Sequence, residues 1–193
     1  MPWEKQFDAN EVLDKAMQTF WSCGYEATSM QDLVDRTGIN RGSLYATYGD
    51  KRALFLSALR MYDDKVRRKM LVDIEASNSP RNAIRQVFRE FSDNVSEDGG
   101  NRGCFLTNTA LELAAHDREV REIVANGQEE MQAFFARMIN KGKAQREISE
   151  HVQSQQTARG LLASLLGLIV LTRSRPEPTL LRAIVDDAMR RLE

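Results

Sequence analysis

Apolar residues recur at helical spacing along nearly the whole chain. Ala9, Leu13, Ala16, Met17, Phe20 and Trp21 fall on one face of an amphipathic helix over about residues 8–23. Leu54, Phe55, Ala58, Leu59 and Tyr62 keep the period on a long helix running from Asp50 towards Ala76. Ser79 as cap and Pro80 in the first turn begin another, carrying Ala83, Ile84, Val87, Phe88, Phe91 and Val95. Asp98 to Gly103 reads as a loop by composition. Cys104 to Ala115 reads as a short apolar helix. A long helix follows from about Asp117 to Lys143, with Val120, Ile123, Val124 and Met131 on its stripe. Two further helices, about Val152–Arg173 and a last one with Leu181, Ile184, Val185, Ala188 and Leu192 in line, are separated by Pro176-Glu177-Pro178. No alternating strand pattern and no internal repeat occurs, so the expected fold class is all-α.

The stretch Ser29–Leu54 has finer punctuation. Ser29 with Asp32 three residues on is a capping-box pattern. Gly38 suits a left-handed helix stop. Asn40 caps a second short helix whose main anchors are Leu44 and Tyr45; Gly49 ends it and Asp50 caps the next. Helix, glycine-bearing turn, helix is the arrangement that places a second helix in the DNA major groove. The first helix would cover this pair, giving a three-helix domain.

At these residues the sequence resembles the TetR family of bacterial transcriptional repressors. The matching pieces are Gly24-Tyr25-Glu26-Ala27-Thr28-Ser29, Gly38-Ile39-Asn40-Arg41-Gly42-Ser43-Leu44-Tyr45, and Tyr48-Gly49-Asp50-Lys51 with Leu54. The resemblance implies a helix-turn-helix domain over 1–50, with the motif at about 29–48, and a helical ligand-sensing and dimerisation domain over 51–193. It implies a homodimer on a double-stranded, palindromic operator, released by a small-molecule or electrophile effector.

DNA contacts are assigned residue by residue. Asn40, Arg41 and Ser43 lie at the end of the second helix that enters the groove. Arg41 suits guanine O6 and N7, a contact of roughly 1–3 kcal/mol of discrimination. Gly42 removes a side chain where backbone approaches DNA. Thr47 and Tyr48 are placed for phosphates, as is Lys51 beside a helix start. Ser29 and Gln31 would grip from the preceding helix. Tyr45 divides between contact and packing. The resemblance supports Tyr48 and Lys51.

Charge argues partly against this picture. The chain of 193 residues carries a formal charge of −1. Residues 1–52 hold six basic and eight acidic side chains, whereas 36–52 hold four cations and one acid. A DNA reader is ordinarily basic, so few phosphate contacts and a shallow salt dependence are expected. The weakly basic arm, residues 1–7, gives little for minor-groove reading. Lys65, Arg67, Arg68 and Lys69 read as a solvated face.

Beyond residue 50 the chain is too large for dimerisation alone. Small residues Gly160, Ala163, Ser164 and Gly167 near one stripe allow a partner helix to approach closely. A two-fold pairing of the last two helices, about 152–192, into a four-helix bundle is the expected dimer. Effector-lining candidates are Phe88, Phe91, Cys104, Phe105, Asn108, Glu112, Met131, Phe134, Phe135 and Met138; for the aromatic and methionine members, plain core is the competing reading. Cys104, at a helix start beside Arg102, is a candidate for a reactive thiolate. The segment Gly103–Asn108 resembles that of family members that sense electrophiles through a nearby cysteine. Cys23 reads as a buried structural thiol.

Other classes fit poorly. His116 and His151 show no metal-ligand spacing, the two cysteines form no CxxC pair, and Gly99-Gly100 lacks a following GK[ST]. No enzyme activity, metal or cofactor is expected; a partner-binding scaffold is the remaining alternative. No signal-peptide pattern is present. The longest apolar run, Leu161–Leu171, is shorter than the ~20 residues a bilayer needs. A cytoplasmic protein without membrane contact is therefore expected.

Overall fold

A computed structural model describes residues 7–93 and 101–193. Val95, residues 1–6 of the N-terminal arm and residues 98–100 of the expected loop lie outside the described residues. Within them the elements are helical: α1 (Ala9–Cys23), α2 (Met30–Thr37), α3 (Arg41–Tyr48), α4 (Lys51–Tyr62), a π-helical segment (Asp63–Arg68), α5 (Lys69–Ser77), α6 (Pro80–Ser92), α7 (Phe105–Glu112), α8 (Arg118–Ala144), α9 (Ser154–Ser174) and α10 (Pro178–Arg190). α4, the π-helical segment and α5 form one continuous rod.

Local signals set the helix ends. Asp8 caps α1 by accepting from the Asn10 N–H at 2.8 Å. The Ser29–Asp32 capping box starts α2, and Gly38 closes it at φ 76°. Pro80 sits in the first turn of α6.

One hydrophobic cluster runs through the molecule. α1 packs on α2 and α4, and α9 lies along α8, α6 and α10. An aromatic chain crosses from the N-terminal helices to α7. Phe20 meets Phe55 edge-on at 5.2 Å, and Phe55 meets Phe105 at 5.7 Å. Phe105 thus belongs to the inter-helix core.

Several expectations are corrected here. Cys23 is exposed at the end of α1. Tyr45 is 38% exposed, and Leu44 is the buried residue of α3. Arg67, read as solvated, is 3% exposed and ion-paired inside the fold. α9 runs 21 residues and by length and composition could cross a membrane, although the run within it looked too short. A buried core helix passes the same test, and α9 buries Ala158, Leu161, Leu165, Leu168 and Ile169 against its neighbours.

Candidate nucleic-acid interface

α3 carries its polar residues outward. Leu44 is 1% exposed and pins the helix, while Arg41, Gly42, Tyr45 and Ala46 face solvent. The Asn40 side chain accepts from the Ser43 N–H at 2.8 Å, so it is engaged as the cap of α3. The Arg41 guanidinium lies 5.6 Å from the Tyr45 ring centroid, and its Nη2 is 3.4 Å from the Tyr45 hydroxyl. The two form one exposed unit, with donors and a flat apolar face together.

Flanking groups surround this face. Ser29 Oγ is held by Asp32 at 2.7 Å, and Gln31 Nε2 donates to Asp35 at 2.8 Å. The Ser29 hydrogen bonds hold the Asp32 carboxyl below its ordinary pKa. Thr47 is half-buried. The Tyr48 hydroxyl donates to the Ala9 carbonyl at 2.6 Å, tying α3 to α1, and burial raises its pKa. Lys51 Nζ stands 4.3 Å over the Tyr25 ring. Arg52, which belongs to the local basic excess, is directed away: its Nε and Nη2 donate to Asp117 at 2.7 and 2.9 Å. That leaves fewer cations for phosphate than the sequence count implies.

Several polar links between the N-terminal helices and the rest escaped sequence reading. Glu112 was expected to line an effector pocket. Its carboxylate instead accepts the backbone N–H groups of Tyr25 at 3.1 Å and Glu26 at 2.8 Å, in the loop between α1 and α2. Arg52 and Arg60 both reach Glu119 on α8. Trp21 Nε1 donates to the Gly103 carbonyl at 3.2 Å. The only legible hint was the acidic character of residues 112–119.

The remaining effector candidates separate into two groups. Phe91, Cys104 and Met131 line a small hollow bounded also by Leu106 and Leu165. Phe88, Phe134, Phe135 and Met138 are at most 1% exposed and pack as core, as Phe105 does. Asn108 Nδ2 donates to the Arg102 carbonyl at 2.8 Å, bracing the loop before α7. Cys104 is buried near Tyr62, whose phenol is pushed well above its ordinary pKa by burial first and by Cys104 second. The Arg102 guanidinium lies over Trp21 at 5.5 Å and bonds Gln18. The cation expected to activate the thiol is thus engaged elsewhere.

A two-helix motif with a pinned core side and an outward polar side, set on an all-helical body, defines a helix-turn-helix DNA-binding transcriptional regulator. Residues 12–58 match the family model "Bacterial regulatory proteins, tetR family", and residues 80–188 match "Tetracyclin repressor-like, C-terminal domain". The chain belongs to the TetR family. It is 33% identical over 183 residues to the uncharacterized HTH-type transcriptional regulator YezE of Bacillus subtilis (strain 168), covering 94% of each. It is 28% identical over 170 residues to the HTH-type transcriptional repressor ComR of Escherichia coli (strain K12), covering 88% of this chain and 81% of ComR. A cysteine-substituted CifR complexed with 26-base-pair operator DNA superposes with TM-score 0.83 at 27% identity, over 98% of this chain and 99% of CifR. A regulator from Cytophaga hutchinsonii shares the fold with TM-score 0.85 at 18% identity, over 97% of this chain and 96% of that one. These relatives are regulators rather than enzymes, and so is this chain.

Proposed function

We propose that the protein is a cytoplasmic, homodimeric repressor that binds a palindromic operator and leaves it when a small molecule binds the helices beyond residue 50. One observation carries the DNA reading: Leu44 fixes α3 to the core while Arg41, Gly42 and Tyr45 stand in solvent. Arg41 would read a base edge; Lys51, Thr47 and Tyr48 would hold phosphates, Tyr48 by exchanging its Ala9 partner. Ser29, Gln31, Asn40 and Ser43 would flank them; Ser29, Asn40 and the Ser43 amide are now engaged in caps, and Gln31 with Asp35.

The dimer reading rests on α9 and α10. Ala163, Gly167 and Val170 are exposed along α9, and a side chain at Gly167 would meet nothing within 4 Å. Such a stripe suits close approach of a second copy. The two α3 helices would then lie about one DNA turn apart, roughly 34–36 Å. An effector preferring another separation would weaken binding by typically 1–3 kcal/mol.

A reversibly bound effector is favoured over an electrophile, because Cys104 is buried and its neighbouring arginine turns away. Residues 1–50 would form the reading part and 51–193 the sensing part, joined through α4.

Selection of bound duplexes from a random pool by the full chain tests the reading. A palindrome with half-sites one turn apart is expected. Retention of no particular sequence, or binding indifferent to salt, would overturn it.

A further inference from the structure

Arg67 lies inside the protein, 3% exposed, within the π-helical segment. Its Nε donates to Asp63 and its Nη2 to Glu130. Its Nη1 is also buried and has no hydrogen-bond partner. A buried N–H without an acceptor is destabilising, and native folds nearly always supply one. A π-helical insertion is itself rare and recurs at functional sites.

Two hollows meet at this side chain. The larger, about 280 Å³, lies against Trp21, Tyr62, Val66, Met70 and Phe91. The smaller, about 30 Å³, is apolar and lies towards Leu106, Met131 and Leu165. Arg67 and Phe91 belong to the walls of both. The smaller has space for a water, which needs roughly 10–15 Å³; the larger has space for a ring. Trp21 and Tyr62, edge to face at 4.9 Å, with Phe91 give the larger hollow an aromatic lining.

Charge narrows the occupant. Arg67 and Arg68 are joined to Asp63, Asp64 and Glu130 in one ion-pair cluster. Three carboxylates against two guanidinium groups leave it net negative. Glu90 and Arg102 on the same wall offset one another. A carboxylate ligand would meet an acidic surplus, whereas a neutral acceptor would not. Arg67 therefore offers a donor rather than an uncompensated positive charge.

We propose that the cleft between α1, the π-helical rod and α6 binds a neutral, planar aromatic molecule whose carbonyl oxygen accepts from Arg67 Nη1. Binding itself needs no DNA; only its consequence at the operator rests on the ligand-responsive reading above. Trp21 belongs to α1, so an occupant touches the reading helices and the sensing helices together.

The test uses the full chain with acetophenone, with ethylbenzene of similar shape but no acceptor, and with benzoate. Titrations are followed by ligand-observed saturation-transfer NMR and by the Trp21 indole N–H signal. Acetophenone is expected to bind about tenfold or more tightly than either control and to shift the Trp21 signal. Arg67→Met should bring acetophenone to the level of ethylbenzene while leaving ethylbenzene unchanged. If that variant does not fold, Phe91→Trp, which fills the shared wall, should abolish binding of both. Equal binding of the three probes, absence of acetophenone binding, or undiminished binding in the variant that folds overturns the proposal. Acetophenone bound as expected with operator affinity unchanged keeps the site and removes the ligand-responsive reading. Operator release by another compound, with the acetophenone arms failing, does the reverse.

Discussion

The Glu112 carboxylate, at the end of α7, accepts the Tyr25 backbone N–H at 3.1 Å across 87 residues of chain. Its other oxygen takes the Glu26 N–H at 2.8 Å. One side chain from the larger helical body thus holds the loop that leads into the helix-turn-helix. Hydrogen bonds to a charged group contribute about 1.5–3 kcal/mol where water is excluded; this site is only partly buried, so the lower end applies.

Glu112→Ala should therefore lower unfolding stability by about 1.5 kcal/mol or somewhat more and weaken operator binding several-fold. Urea unfolding and gel-shift titration measure the two. Glu112→Gln, which keeps an acceptor, should fall between. Unchanged operator affinity in Glu112→Ala would show that the loop is held without it.

Asp117 joins the same two regions through Arg52. The Arg52 hydrogen bond, chiefly, holds the Asp117 carboxyl down at about 2. The folded value lies below the unfolded one near 3.9. This contribution is fully present above about pH 4 and is lost as pH falls through the folded value. Asp117→Asn keeps a capping side chain for α8, whose Glu119 and Val120 N–H groups it now receives at 3.0 and 3.1 Å. The variant should be less stable than the parent at pH 7, with the difference shrinking as pH falls from about 4 towards 2 and vanishing below that. Chemical unfolding monitored by circular dichroism across that range checks this; a pH-independent difference would remove the charge from the account.

Arg41→Ala should relax sequence preference at one base pair per half-site, at a cost of roughly 1–3 kcal/mol each, with the fold intact. Binding measured on a panel of single-base operator variants reads this out. A uniform loss across all sequences would make Arg41 a phosphate contact instead.

Val170 is 39% exposed on the small-residue side of α9. Val170→Asp places a charge there and should yield monomers at micromolar concentration, with operator binding reduced accordingly. Light scattering after size exclusion gives the answer. An unaffected dimer would move the interface elsewhere.

Much of the reading motif was legible because its determinants are local. Ser29 with Asp32, Asn40 with the Ser43 N–H, and Asp50 with the Ala53 N–H each span three residues. The helical period needs only neighbours three and four apart, so the helices were placed to within a few residues. Tyr45 was misjudged as an anchor because period alone does not say which side of a short helix is covered. The effector candidates were harder. Phe88 and Phe91 share a helix and a period, yet Phe88 is core and Phe91 lines a cavity.

The sequence by itself determined the helices, their caps, the helix-turn-helix and the family likeness, since these are set by backbone and side-chain preferences within one or two turns. Only the tertiary structure decided that Glu112 serves the DNA-reading loop, that Arg52 turns to Asp117, and that Arg67 is enclosed with one donor unmet. Those outcomes depend on which surfaces meet across 60 or more residues. Charges find partners there by proximity in space, for which separation along the chain carries no signal.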